Sequence, residues 1–160
     1  FRRRPRDETV RLTADVVLLA DAGGETRVLL VQRRWSPFEG RWALPGGVVK
    51  PGEDVEAAAR RELGEETAVP CGPLELVGVY SAPGRDPRGR YVTFAFVGRL
   101  PEPLLPSAGS DARGASWVPV ARAAASPGLA FDHGSILADA LAGTGRGNAA
   151  AEEEESELWK

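Results

Sequence analysis

Residues 47–69 read GVVKPGEDVEAAARRELGEETAV, and this stretch decides the fold of the chain around it. A Pro-Gly pair at 51–52 predicts a turn, and the strong helix formers that follow predict a helix over residues 53–67. The apolar residues of that helix recur at helical spacing, so one of its faces would pack against a core.

Three glutamates of the predicted helix would form an acidic face. Glu62, Glu65 and Glu66 stand at i, i+3 and i+4, and residues at these positions are neighbours on a helix surface. Their repulsion weakens a helix by roughly 0.2–0.5 kcal/mol per pair, and a bound divalent cation would remove it. A solvated acidic face is the simpler interpretation. The preceding Gly46-Gly47, whose backbone can approach a ligand closely, favours a metal site instead.

The spacing within residues 47–69 resembles the signature of the Nudix hydrolases. That signature is a glycine, five residues, a glutamate, seven residues, Arg-Glu, an aliphatic residue, any residue, Glu-Glu, any residue, a glycine and an aliphatic residue. The chain matches it at every fixed position except Ala68, where the family has glycine. A glycine there would relax a left-handed helix end, so we expect Ala68 to affect the close of the helix and no ligand.

The resemblance implies roles for the matched residues. Glu53 and Arg61 would support the geometry of the loop and helix, and together with Glu65 and Glu66 they make up the expected catalytic set. The expected cofactor is Mg²⁺ or Mn²⁺, which would neutralise diphosphate oxygens and lower the pKa of a bound water. A hydrolase that cleaves a pyrophosphate linkage is therefore implied. The expected metal-binding residues are Gly46 (through its carbonyl), Glu62, Glu65 and Glu66.

Segments outside this signature resemble the ADP-ribose pyrophosphatase branch of the family, namely residues 35–47, 80–96 and 130–133. Its arginine-rich loop suits a diphosphate, and an aromatic side chain could stack on adenine. The best prediction is cleavage of ADP-ribose to AMP and ribose 5-phosphate. We interpret His133 as a structural residue at a helix start. The predicted substrate-binding residues are Arg33, Trp35, Arg85, Arg88 and Arg90.

One position departs from that branch, which often carries an additional glutamate ahead of Trp117 as a base or extra ligand. This chain has Gly114 there, so Asp111, Glu102 or Glu65 would supply the carboxylate. Two alternatives therefore stand beside ADP-ribose hydrolysis. One is a pyrophosphohydrolase of damaged nucleoside triphosphates, and the other is a Nudix domain that senses a nucleotide without cleaving it.

Composition bounds the other possibilities. The 160 residues contain one cysteine and one histidine, which excludes a thiolate cluster or a multi-histidine metal site within one chain. The net charge is −3, and no apolar run approaches the roughly 20 residues that cross a bilayer. We expect a small-molecule nucleotide as partner, no nucleic acid, no membrane and a cytoplasmic location. The resemblance also implies a homodimer.

The order of elements predicts an α/β fold of the α+β kind, with strands over most of the first two-thirds of the chain and helices inserted among them. By resemblance this is a Nudix-type α/β/α sandwich with a mixed β-sheet. We expect a basic N-terminal extension over residues 1–8, the Nudix domain over 9–143 and a flexible acidic tail over 144–160. Asp132 would cap the last helix, which is expected to end near residue 141.

Overall fold

The computed structural model describes residues 7–107, 112–125 and 128–143. The predicted acidic tail, most of the predicted basic extension and Asp111 lie outside these residues. The described strands are β1 (Val10–Ala22), β2 (Glu25–Arg33), β3 (Trp42–Ala43), β4 (Gly46–Val48), β5 (Glu75–Tyr80), β6 (Arg90–Leu100) and β7 (Ala112–Pro119). The described helices are α1 (Val55–Thr67), α2 (Val120–Ala123) and α3 (His133–Gly143).

The strands form one mixed sheet. Its main path runs β3-β2-β1-β6-β5, with β4 also paired to β1 and β7 to β2. The long pairing of β1 with β6 is parallel, whereas the other pairings are antiparallel. The predicted mixed β-sheet is therefore confirmed.

Helices cover both faces of this sheet because the buried residues of β1 alternate between the faces. Val16 and Leu18 pack with Leu63 of α1 in one apolar cluster. Val17 and Leu19 point the other way and pack with α3 in a second cluster. This arrangement confirms the predicted α/β/α sandwich. Within the described residues, no helix is long and apolar enough to span a membrane.

One helix start differs in detail from the sequence expectation. Helix α1 begins at Val55 rather than Glu53, because the Glu53 amide donates to the carbonyl of Lys50 and so belongs to the preceding turn. Asp132 precedes α3 as predicted, and both of its carboxylate oxygens accept hydrogen bonds from Arg85. The left-handed helix end at Ala68, with φ 57°, is confirmed.

Candidate active site

A cavity of about 390 Å³ lies where β1, β4 and α1 meet the loop before β6 and the start of α3. Two groups of charged side chains line it. We call Asp15, Glu62 and Glu66 the acidic cluster, and Arg33, Arg85 and Arg88 the basic cluster. Because the cavity presents both kinds of charge, it suits an anionic ligand. The acidic cluster would contact that ligand through a bound cation, and the basic cluster would contact its anionic groups directly.

The acidic cluster centres on Glu66, one helical turn from Glu62 on α1. Burial, followed by the charge of Glu62, raises the pKa of Glu66 to about 9. Glu66 Oε2 also accepts a hydrogen bond of 3.3 Å from the amide of Gly46. Glu66 therefore holds a proton near neutral pH in the metal-free protein, at a position where a cation would stabilise the ionised form.

The two glycines before α1 allow the backbone to reach this cluster. A Cβ at Gly47 would stand 2.6 Å from the carboxylate carbon of Glu62. A Cβ at Gly46 would meet the Ala14 carbonyl oxygen at 2.3 Å. Any larger residue would displace either the carboxylate or the strand, so both positions require glycine.

Arg61 connects the helix to the turn before it. Its guanidinium donates to Glu53 at 2.7 and 2.9 Å and to the carbonyl of Val48 at 3.0 Å. The hydrogen bond from Arg61, followed by that from the Lys50 amide, lowers the pKa of Glu53 to about 2. Arg61 and Glu53 thus lie beside the cavity without lining it, and their supporting role stays a prediction.

Glu65 is placed differently from the other two helix glutamates. Its side chain is 57% exposed, and its carboxylate lies 3.2 Å from Arg61 Nη1. Glu62 contacts the same guanidinium nitrogen at 2.8 Å while still lining the cavity. Of the three predicted metal-binding glutamates, the structure brings only Glu62 and Glu66 together in the cavity.

The donor set fits a hard divalent cation. In the described part of the chain, no three His, Cys, Asp or Glu side chains surround a single point closely enough to hold a metal as they stand. The cavity nevertheless presents the half-buried carboxylates of Glu62 and Glu66, and a bound cation would relieve their mutual repulsion. All available donors there are oxygens, which Mg²⁺ and Mn²⁺ prefer.

The arginines of the loop before β6 are held by aspartates. Arg85, with a side chain only 5% exposed, donates to Asp132 through two hydrogen bonds of 2.7 and 2.8 Å. Arg88 makes the same kind of two-pronged contact with Asp86 at 2.7 and 3.1 Å. Burial alone would raise the pKa of Asp86, but the bonds from Arg88 outweigh it and lower that pKa.

Arg33 of β2 has no such carboxylate partner among the described residues. It donates to the backbone carbonyl of Pro37 at 2.7 Å, and its guanidinium carbon lies 4.7 Å from the ring centre of Phe131. Arg88 approaches the same ring at 5.4 Å. Burial and the charge of Arg88 lower the pKa of Arg33, and an anionic ligand would relieve that repulsion.

The other two predicted substrate-binding residues, Trp35 and Arg90, lie in different places. Trp35 lines the cavity with 65% of its surface exposed, so its ring is available for stacking. Arg90 does not line the cavity, and its guanidinium lies 3.8 Å from Glu8.

Sequence reasoning did not predict that Asp15, Asp86 and Phe131 line the cavity, and it placed His133 at a helix start and not in the cavity lining. Asp15 has the clearest sequence pattern, because it is a lone charge directly before the apolar run at residues 16–20. Phe131 has a positive φ of 53°, a backbone state that its identity does not suggest.

The fold and the cavity define a class of protein: an α/β/α domain in which a helix presents glutamates to a small-molecule site. The chain belongs to the Nudix family, because the model of the NUDIX domain matches residues 9–140.

Three known proteins illustrate the relationship. An ADP-ribose pyrophosphatase of Methanocaldococcus jannaschii is 42% identical over 115 residues, covering 72% of this chain and 66% of that protein. An ADPR responsive transcriptional repressor NtrR of Acinetobacter baylyi is 32% identical, covering 82% of this chain and 53% of the repressor. The chain thus spans less than two-thirds of either relative. The NUDIX domain of Shewanella oneidensis NrtR, solved with ADP ribose, superposes with TM-score 0.79 and 31% identity, covering 87% of this chain and 92% of that one.

Proposed function

We propose that this chain is a divalent-metal-dependent Nudix hydrolase that cleaves the pyrophosphate linkage of ADP-ribose, giving AMP and ribose 5-phosphate. The observation that carries the proposal is the acidic cluster, where Glu62 and Glu66 line the same cavity as Arg33, Arg85 and Arg88 and the Gly46 amide donates to Glu66. The likeness to an archaeal ADP-ribose pyrophosphatase supports this choice of substrate.

Glu62 and Glu66 would hold Mg²⁺ or Mn²⁺, with Glu65 and the carbonyl of Gly46 as the further ligands implied by the family signature. When bound, the cation neutralises charge on the diphosphate oxygens and acidifies a water. In the proposed reaction a water oxygen would bond to one phosphorus, the bridging P–O bond would break with the bridging oxygen leaving on the other phosphate, and one proton would leave the water. Exposed Glu65, on the same helix turn, is our candidate to accept that proton.

The basic cluster would orient the rest of the substrate. Arg33 and Arg88 flank Phe131 and would donate to the phosphate that does not take the water. Trp35 would stack on the adenine. Arg85, held by Asp132, would fix the loop that carries Arg88. A cytoplasmic location and a homodimer belong to this proposal as expectations.

The test is incubation of the protein with ADP-ribose and Mg²⁺ or Mn²⁺, followed by chromatographic identification of the products. We expect AMP and ribose 5-phosphate in equal amounts. We also expect Glu66→Gln, which keeps the shape but loses the charge, to be slower by about a thousandfold, since a cation contributes several kcal/mol to such a transition state. Pyrophosphate released from an oxidised nucleoside triphosphate, with no AMP from ADP-ribose, would contradict the proposal.

A second candidate is a nucleotide-sensing domain, favoured by Gly114 and by the similarity to a repressor that responds to ADP-ribose. This candidate requires binding without turnover. Calorimetric binding of ADP-ribose in the presence of Mg²⁺, with the ligand recovered intact after a long incubation, would establish it.

A further inference from the structure

His133, the single histidine of the chain, lies buried behind the acidic cluster at the start of α3. Its Nδ1 accepts a hydrogen bond of 3.0 Å from the backbone amide of Leu44. An imidazole nitrogen that accepts an N–H carries no proton, so the ring proton of the neutral side chain is on Nε2. Burial lowers the pKa of His133, which agrees with a neutral ring.

The amide that His133 binds belongs to the short connection between β3 and β4. Leu44 is followed by Pro45, which has no N–H, and the Pro45 carbonyl accepts a bond of 2.9 Å from the Val16 amide. The next residue, Gly46, donates to Glu66. His133 therefore supplies the side-chain anchor of this connection only two residues from the point where it meets the acidic cluster.

Asp15 lies on the other side of the ring. Its Oδ1 is 3.8 Å from His133 Nε2, and its Oδ2 accepts a hydrogen bond of 2.5 Å from Thr93. Asp15 also pairs across the strands with Gly46, where an added Cβ would come within 2.2 Å of Asp15 Oδ1. The carboxylate thus faces the ring and the glycine at once, and its charge favours the tautomer with the proton on Nε2.

We propose that His133 is a positioning residue. It holds the Leu44–Gly46 connection through the Leu44 amide, and so keeps Gly46 beside the acidic cluster, where the cation would bind. Asp15 orients the ring for this task. The inference rests on the proposed function, because it assigns the connection a part in cation binding. In this role His133 acts through the Leu44 amide and not through a contact with the reacting atoms.

Positioning and simple packing make different demands on residue 133. Packing requires only the volume of the side chain, whereas positioning requires an acceptor where Nδ1 stands. Asparagine places Oδ1 close to the position of the histidine Nδ1 and keeps that acceptor. Leucine fills a similar space and leaves the Leu44 amide without a partner.

The experiment compares the wild-type chain with His133→Asn and His133→Leu by titrating Mn²⁺, without substrate, against its electron paramagnetic resonance signal. We expect His133→Leu to weaken Mn²⁺ binding by about 10–100-fold, as removal of a supporting partner does in metal sites. We expect His133→Asn to stay within about threefold of wild type. With ADP-ribose, the leucine variant should lose kcat with little change in KM, because the basic cluster is untouched.

Nitrogen-15 NMR of the wild-type protein adds a readout that needs no variant, since its one histidine gives one unambiguous pair of ring nitrogens. We expect a protonated Nε2 and an unprotonated Nδ1. A protonated Nδ1 would overturn the inference, as would equal Mn²⁺ affinity in the two variants. If His133→Leu does not fold, the asparagine variant and the NMR tautomer still decide. A wild type that binds Mn²⁺ through this arrangement but cleaves no ADP-ribose would contradict the proposed function alone.

Discussion

The acidic cluster and the basic cluster face the same cavity, but their charges are satisfied in different ways. In the acidic cluster Glu62 has Arg61 as partner, while burial and the charge of Glu62 raise the pKa of Glu66 to about 9. In the basic cluster Arg85 and Arg88 have aspartate partners. Arg33 donates to backbone carbonyls and contacts the ring of Phe131, while the carboxylates of Asp86 and Glu66 act on it through their charge.

This difference separates side chains that build the cavity from those available to a ligand. A charge that is matched within the chain gains little from a ligand, whereas a buried unmatched charge is costly until a ligand arrives. By this criterion we propose Glu66 and Arg33 as the principal ligand contacts of the two clusters, and Arg85 as a residue that holds the loop. The experiments below test that assignment.

After Glu66→Gln, the largest effect on the rate is expected where the backbone touches the acidic cluster. Gly47→Ala would place a Cβ 2.6 Å from the Glu62 carboxylate and push it out of position. We expect the rate of ADP-ribose hydrolysis to fall by about 100-fold, the upper range for a disturbed metal environment. The matched control is Gly64→Ala on α1, the helix that carries Glu62, where an added Cβ meets nothing within 4 Å. Equal losses in both variants would contradict the role given to Gly47.

Within the basic cluster, Arg85→Gln and Arg33→Gln should separate stability from binding. Arg85→Gln leaves Asp132 without its guanidinium, and we expect the free energy of unfolding to fall by about 3 kcal/mol, with a rise in KM for ADP-ribose smaller than that of Arg33→Gln. Arg33→Gln should raise KM about tenfold, because a charge-assisted contact to phosphate contributes about 1.5 kcal/mol. Urea unfolding and steady-state kinetics on the same preparations measure both. An unchanged KM in Arg33→Gln would refute the assignment.

The pH dependence of stability should report Glu66 in the metal-free protein. Its folded pKa, about 9, lies above the ordinary value of 4.5, so the folded state binds this proton more tightly than the unfolded state. The resulting stabilisation is complete below about pH 4.5 and is lost as the pH rises towards 9. Wild type should therefore lose stability relative to Glu66→Gln over this window, and Mg²⁺ should reduce the loss. If the stability of wild type and of Glu66→Gln changed with pH in the same way in EDTA, the pKa of Glu66 would not be raised.

The smallest effect is expected at the end of α1, away from both clusters. Ala68 adopts the left-handed conformation with φ 57°, which is unfavourable for a residue with a Cβ. Ala68→Gly should stabilise the fold by about 1 kcal/mol and leave kcat and KM unchanged. Thermal unfolding together with the hydrolysis assay measures this. A destabilised variant would mean that the flexibility of glycine outweighs the relief of strain.

The two clusters also differ in how far the sequence predicts them. Glu62, Glu65 and Glu66 are predictable because helical spacing is a local property. Their separation, with Glu65 facing Arg61 and Glu66 buried beside Asp15, depends on β1 and β4 packing against α1 and has no local pattern. The mixed sandwich was predictable for the same local reason, from strand and helix periodicities and the signature.

The basic cluster depends on contacts distant in sequence. Arg85 meets Asp132 across 47 residues, and the sequence shows an arginine-rich loop without showing which arginine is already paired. Arg90 is in the same loop pattern but lies near Glu8 instead of the cavity. The assignment of Arg33, Arg85, Arg88 and Arg90 to the substrate remains a prediction, and the structure favours Arg33 and Arg88 within it.

The most direct test of a cation site at Glu62 and Glu66 is calorimetric titration of Mn²⁺ at pH 7.5 in two buffers of different ionisation enthalpy. Because Glu66 holds a proton until a cation replaces it, we expect wild type to bind Mn²⁺ with release of about one proton per ion. We expect Glu66→Gln to bind much more weakly and to release none. Equal Mn²⁺ affinity in wild type and Glu66→Gln, or no binding to wild type, would contradict the metal site.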